Sequence, residues 1–200
     1  MNEPKYFEVG PAGARDDAVR ESIAELNLEI LESHVGTVPG LQGRWLALSG
    51  AARLRLAGCP YLLVDAGFTQ PELWARLPNL GVHEAVPLRT LLASRSALST
   101  PLLRRVLVLT WHIARANRTS ARIALGMSRS CAGVVAGCRL ADLEALAERR
   151  PGWIRPRWDQ HSEVWRAWLT AVTKESPRGL ERLQLWGLQM VAAEVRRQSE

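Results

Sequence analysis

Apolar positions recur along most of this chain with the three-to-four-residue spacing of helices. Between Asp16 and Ser33 the apolar residues Ile23, Leu26, Ile30 and Leu31 share one face and the opposite face is acidic, which predicts a helix. His34 to Gly40 breaks it with two glycines and a proline, and a second helix is expected over about 41–56. The run from Leu62 to Glu72 reads as a helix, a glycine stop and a new helix. Gly67 suits a left-handed C-terminal cap, Thr69 and Glu72 have capping-box spacing, and Pro71 falls early enough to be tolerated, so the next helix covers 70–77.

The second half carries clearer punctuation. Thr100-Pro101 is a cap followed by proline at the first helical position, and the helix over 101–116 is apolar at Leu103, Val106, Leu107, Ile113 and Ala114. Helices over 118–125, 128–138 and 140–149 follow. Pro151, Gly152 and Pro156 exclude helix from 151–158, which reads as an extended arm or a short strand. Two more helices close the chain, over 160–173 and from the Ser176-Pro177 cap to about 197. The pattern predicts an all-α fold, a multi-helix orthogonal bundle of about nine helices with almost no strand. Its expected divisions are a flexible leader over 1–15, a helical unit over 16–95, a second over 96–159 and a C-terminal helical extension over 160–200. Ala66-Gly67-Phe68-Thr69 returns 59 residues later as Leu125-Gly126-Met127-Ser128, the sign of an internal repeat.

Composition agrees with a folded chain: 47% of the 200 residues are apolar and 23% charged. The longest uncharged apolar run, Val106 to Ala114, is far short of the ~20 residues of a membrane span. The start, MNEPKYFEVG, lacks the pattern of a signal peptide, so no membrane partner and a cytoplasmic location are expected. Three cysteines without paired spacing fit a reducing compartment and read as small buried hydrophobes.

Charge changes the picture more. The net +6 hides a −4 balance over residues 1–50 and a +6 balance over 101–150, and 24 of the 26 basic residues are arginine. Between Glu84 and Asp142 there are nine arginines and no acid. On a continuous helix Arg104, Arg115, Arg118 and Arg122 would fall on one side, since offsets of 11, 3 and 4 are near whole turns. With Arg129 they are the candidate phosphate contacts, because uncompensated cations seek an anionic partner. Either these arginines share an open face, or each pairs with an acid from residues 1–32.

Arg118 to Arg139 has helix-turn-helix spacing: Ala121 is the small residue of the first helix, Gly126 the turn, Met127 the apolar residue after it and Ser128 the cap of the second helix. The second helix would offer Arg129 and Ser130 to a groove, but its continuation from Cys131 to Cys138 is small and apolar. Gly133 and Gly137, four apart, point instead to close packing against another helix. Five of eight tryptophans follow residue 150. Trp158, Trp165 and Trp168 form either an aromatic core that clamps the proline-rich arm or a protein interface. The histidines His34, His83, His112 and His161 are isolated, and no nucleophile, metal-ligand or phosphate-loop motif is present, so no enzyme activity and no cofactor are expected.

Residues 113–159 resemble the FlhD family of bacterial transcriptional regulators, flagellar or carried on conjugative elements. The likeness lies in Arg118-Thr-Ser-Ala121, Leu125-Gly126-Met127, the small-residue helix with Ala132 and Ala136, Leu140, Leu143 and Leu146-Ala147-Glu148, and Arg157-Trp-Asp159. The resemblance implies an all-helical DNA-binding regulator; a two-copy FlhD-like arrangement fits the internal repeat, while the acidic first helix and the added C-terminal helical pair depart from the family. It would act as a homodimer or in a hetero-oligomer with an FlhC-like subunit. Gly133, Gly137, Trp158, Trp165 and Trp168 would then serve the partner interface. Ile154 stands where the family has a cysteine, so an intersubunit disulfide is not expected. The alternative is a non-enzymatic helical adaptor of a bacterial secretion or conjugation system.

Overall fold

The first helix, α1 (Ala12–Glu32), turns Ile23, Leu26, Ile30 and Leu31 inward and fully buries Asn27 among them. A buried amide left unpaired costs about 1–3 kcal/mol. Asn27 is paired throughout. Its Nδ2 donates to the carbonyls of Ala57 (3.2 Å) and Tyr61 (3.0 Å), and its Oδ1 accepts from the Leu63 N–H (2.9 Å). One side chain thereby fixes α1 to the segment beyond the third helix.

The computed structural model describes residues 12–33, 38, 40–77, 100–150, 153–174 and 177–197. Of the leader expected over 1–15, residues 1–11 lie outside these residues, as do 34–37 of the break, Arg89, Arg95 and His83, while 12–15 belong to α1 and so are helical. The other helices are α2 (Gln42–Leu46), α3 (Gly50–Ala57), α4 (Pro71–Ala75), α5 (Thr100–Ala116), α6 (Arg118–Ala124), α7 (Arg129–Gly137), α8 (Leu140–Arg149), α9 (Ser162–Thr173) and α10 (Pro177–Arg197). The fold is all-α apart from one antiparallel pair, β1 (Val64–Asp65) with β2 (Arg155–Pro156).

Three expectations are corrected. The helix over 41–56 is two helices, because the Ser49 hydroxyl accepts the Ala52 N–H at 3.2 Å and starts α3 afresh. The segment over 62–66 is extended and contains β1, so Gly67 ends no helix. Gly67 (φ 72°) lies instead in a turn in which Asp65 Oδ1 accepts the N–H groups of Gly67 and Phe68, both at 3.1 Å. No side chain caps α4, whose N-cap is Gln70, so the expected Thr69–Glu72 capping box does not form.

The extended segment organises the interior. Its residues alternate between two apolar clusters, as a strand's must. Leu62, Val64 and Ala66 face the first cluster, with Ile23 and Leu26 of α1, Trp74 of α4 and the inner faces of α5 to α8. Tyr61 and Leu63 face the second, with Trp45, Leu56, Trp158, Trp165, Trp168 and Val191. The divisions expected at 16–95, 96–159 and 160–200 therefore do not each have a core of their own. The two glycine turns matched in sequence lie side by side, since the Ser128 N–H donates to the Phe68 carbonyl at 3.1 Å.

The second cluster settles the tryptophans. Trp165 and Trp168 are buried with ring centroids 5.2 Å apart, Trp158 lies 5.3 Å from Trp168, and Trp45 lies 5.1 Å from Trp165. Trp158, Trp165 and Trp168 are thus core residues of this chain, Trp158 keeping only an edge on a cleft, which corrects the interface assignment. Gly133 and Gly137 do not pack closely among the described residues either, because an added Cβ would meet nothing within 4 Å at either position. The inner face of α7 is Cys131, Ala132 and Val135.

Close packing does require a glycine at Gly187. A Cβ there would overlap the Tyr61 hydroxyl and approach Tyr61 Cζ to 2.6 Å and Trp168 Cζ2 to 3.1 Å. Gly187→Ala is expected to destabilise the protein by about 1–3 kcal/mol despite alanine's helix preference. Gly133→Ala, at an open helical position, is expected to stabilise it by up to about 1 kcal/mol. Urea unfolding of the two variants checks both signs.

Candidate nucleic-acid interface

The arginine-rich stretch folds as three successive helices, and Asn117 decides where the first ends. Its backbone is extended (φ −156°, ψ 105°), and its Oδ1 accepts the N–H groups of Thr119 (2.9 Å) and Ser120 (3.2 Å). This cap starts α6 one residue after α5 stops. The single face expected for Arg104, Arg115, Arg118 and Arg122 assumed a continuous helix, so that phase relation does not hold across Asn117. Within α6, Arg118 and Arg122 are four apart and share a face.

The arginines divide by partner. Arg104 pairs with Glu148 at 3.3 Å, and Arg105 pairs with Glu29 of the acidic α1 at 2.5 Å. Arg104 is therefore removed from the set of uncompensated cations. Arg115, Arg118, Arg122 and Arg129 are exposed and make no ion pair among the described residues. Arg115 lies over the Trp111 ring, 4.7 Å from its centroid, and the Trp111 indole N–H is held by the Cys138 carbonyl at 2.9 Å. The nearest acid beyond this stretch in sequence, Asp142, is held by Arg139 through bonds of 2.9 and 2.7 Å. Those hydrogen bonds keep its carboxyl below the ordinary carboxylate range. The acids of α1 thus reach Arg105 but leave the corner of α5, α6 and α7 positive.

The turn behind this corner is held from within. Ala121 and Met127 are fully buried, Gly126 has φ 67°, and the Ser128 hydroxyl accepts the Cys131 N–H at 3.1 Å. Helix, glycine turn and capped helix are therefore as the spacing predicts. Gly126 also carries a contact that sequence reading missed. A Cβ there would lie 3.1 Å from Arg157 Nη1 and 2.8 Å from Val191 Cγ1. Arg157 is buried, its Nη2 donates to the Leu125 carbonyl, and its Nε donates to the Leu62 carbonyl at 2.7 Å. Its Nη1 meets Glu194 Oε2 at 3.4 Å. Nothing in its neighbourhood, Pro156 and Trp158, marks Arg157 as interior; only its place in an apolar, proline-bounded arm hints at it.

Other chemistry is sparse. A cleft of about 380 Å³ beside β2 carries Asp65, Glu194, Arg155 and Arg157. Asp65 is engaged in its turn, while Glu194 accepts from Arg157 and, at 2.7 Å, from the Trp158 indole. Burial pushes the Cys59 and Cys131 thiols up to about 12, which leaves them unreactive. No group of three or more histidines, cysteines or carboxylates that could hold a metal occurs among the described residues. No described helix is long and apolar enough to cross a membrane.

Comparison with protein-family models, with curated proteins and with solved structures finds no match to this chain.

Removing the Asn117 cap tests the local framework. Asn117→Ala is expected to cost about 1 kcal/mol, read by urea unfolding, with the tryptophan fluorescence of the native state unchanged.

Proposed function

We propose that this chain is a nucleic-acid-binding protein, a DNA-binding transcriptional regulator of the FlhD-like kind that acts as an oligomer or with an FlhC-like subunit. The observation that carries this reading is the set of four exposed arginines, Arg115, Arg118, Arg122 and Arg129, with no ion pair among the described residues. Cations so placed gain by displacing the counterions condensed on a phosphate backbone. Contacts of this kind position a protein on a duplex without reading its sequence. The outer face of α7 supports the same division of labour. Beyond Arg129 and Ser130 it offers Gly133 and Gly137, which have no side chain to reach a base edge. Sequence choice on this reading comes from a partner subunit or from DNA shape.

The test is the salt dependence of binding. Replacing Arg115, Arg118 and Arg122 together by alanine is expected to lower the slope of log K against log salt by about three, near one for each arginine removed. Fluorescence anisotropy with a labelled duplex reads the slope, and circular dichroism checks that the variant stays folded. An unchanged slope refutes the reading.

A further inference from the structure

Beside the arginine corner, α6 and the C-terminal half of α10 enclose a groove of about 450 Å³. Its apolar lining is Ile123 from α6 with Leu188, Val191 and Val195 from α10. Ile123 is 59% exposed and borders this concave surface, so its side chain is open to an occupant. The two rims are arginines, Arg122 on α6 and Arg196 on α10, and no acid lines the groove among the described residues. Both are exposed and make no ion pair among the described residues. Glu194, the carboxylate nearest in sequence on α10, is taken up by Arg157 and Trp158.

An apolar floor between two cations has a definite complement. We infer that this groove docks an amphipathic helix of a partner protein, with an apolar stripe bracketed by carboxylates. A helix laid in such a groove seats side chains at i, i+3, i+4 and i+7 on the floor. Its flanking Glu or Asp residues then meet Arg122 and Arg196 at the polar rim, where opposite charge sets orientation and excludes basic competitors. A second copy of this chain does not supply the occupant from its acidic helix, because α1 buries Ile23, Leu26, Ile30 and Leu31 in its own core. A nucleic acid would find donors only at the edge, Thr119, Arg122 and Arg196, and would leave the apolar floor of Ile123, Leu188, Val191 and Val195 unfilled. This inference goes beyond the nucleic-acid reading and does not depend on it.

The probe is a short fluorescein-labelled helical peptide with leucines at i, i+3, i+4 and i+7 and glutamates beside them. Its control carries lysines in place of the glutamates. Titrated against the full chain, the glutamate peptide is expected to bind at least about tenfold tighter than the lysine peptide, a difference of about 1.4 kcal/mol. Arg122→Ala with Arg196→Ala is expected to erase that preference. Ala192→Trp, a neutral substitution at an exposed position lining the groove, is expected to abolish binding of both peptides while leaving the salt slope for DNA unchanged. Ile123→Ser, which removes a wall without adding bulk, is expected to weaken the glutamate peptide at least about fivefold, about 1 kcal/mol. No binding of the glutamate peptide, equal affinity for the two peptides, binding that survives Ala192→Trp, or an affinity unchanged by Ile123→Ser overturns the inference.

Discussion

Much of this molecule hangs on the buried guanidinium of Arg157. An arginine cannot shed its proton, so its charge must be met wherever it is buried. Here three separate parts of the chain meet it: the Leu62 carbonyl of the extended segment, the Leu125 carbonyl at the end of α6 and the Glu194 carboxylate of α10. The same residue's backbone N–H donates to Leu63, and its carbonyl accepts the Trp165 indole at 2.7 Å. Removing one partner of a buried charge costs about 3–5 kcal/mol, a large share of the roughly 5–15 kcal/mol that holds a domain folded. Arg157 therefore constrains both apolar clusters at once, and Gly126 must be glycine partly because the guanidinium lies against it.

The extended segment is the other half of that constraint. Tyr61 to Val64 would strand its backbone polar groups in an apolar interior if nothing met them. Asn27 takes the Tyr61 carbonyl and the Leu63 N–H, Ala124 takes the Leu62 N–H, and Arg157 takes the carbonyls of Leu62 and Leu63. With these five backbone groups met, the segment can send alternate side chains into alternate cores. Two side chains distant in sequence, Asn27 and Arg157, thus allow a strand-like element inside an otherwise helical protein.

The helices were legible from periodicity and punctuation, and α8 (Leu140–Arg149) begins and ends where its pattern says. The segment over 62–66 was not, because a short apolar run has no period to separate buried strand from buried helix. Asn27 and Arg157 were not legible as interior residues, since hydrophobic patterning treats any polar side chain as surface. The tryptophan alternatives stayed open in sequence because clustering in sequence and exposure in space are independent. Ring contacts with Trp45 and Tyr61, far upstream of Trp165 and Trp158, close them. The arginine surplus was legible as a composition, but its division was not. Only folding brings Glu148 to Arg104 and Glu29 to Arg105 while leaving Arg115, Arg118, Arg122 and Arg129 without an ion pair among the described residues.

That division underlies the proposed function, and the interior explains why it persists. Arg157 pins the Leu125 carbonyl, Asn117 caps α6 and Ser128 caps α7, so the exposed arginines sit on a framework fixed from behind. A backbone framework already fixed has little conformational entropy of its own left to lose when its exposed arginines meet a phosphate backbone. Amide hydrogen exchange of the whole chain, with and without a DNA duplex at low salt, tests this most directly. Protection on adding DNA is expected to concentrate between residues 115 and 130, across the end of α5, α6 and the start of α7. Protection confined to α1, α3 or α9, or none at all, contradicts the proposal.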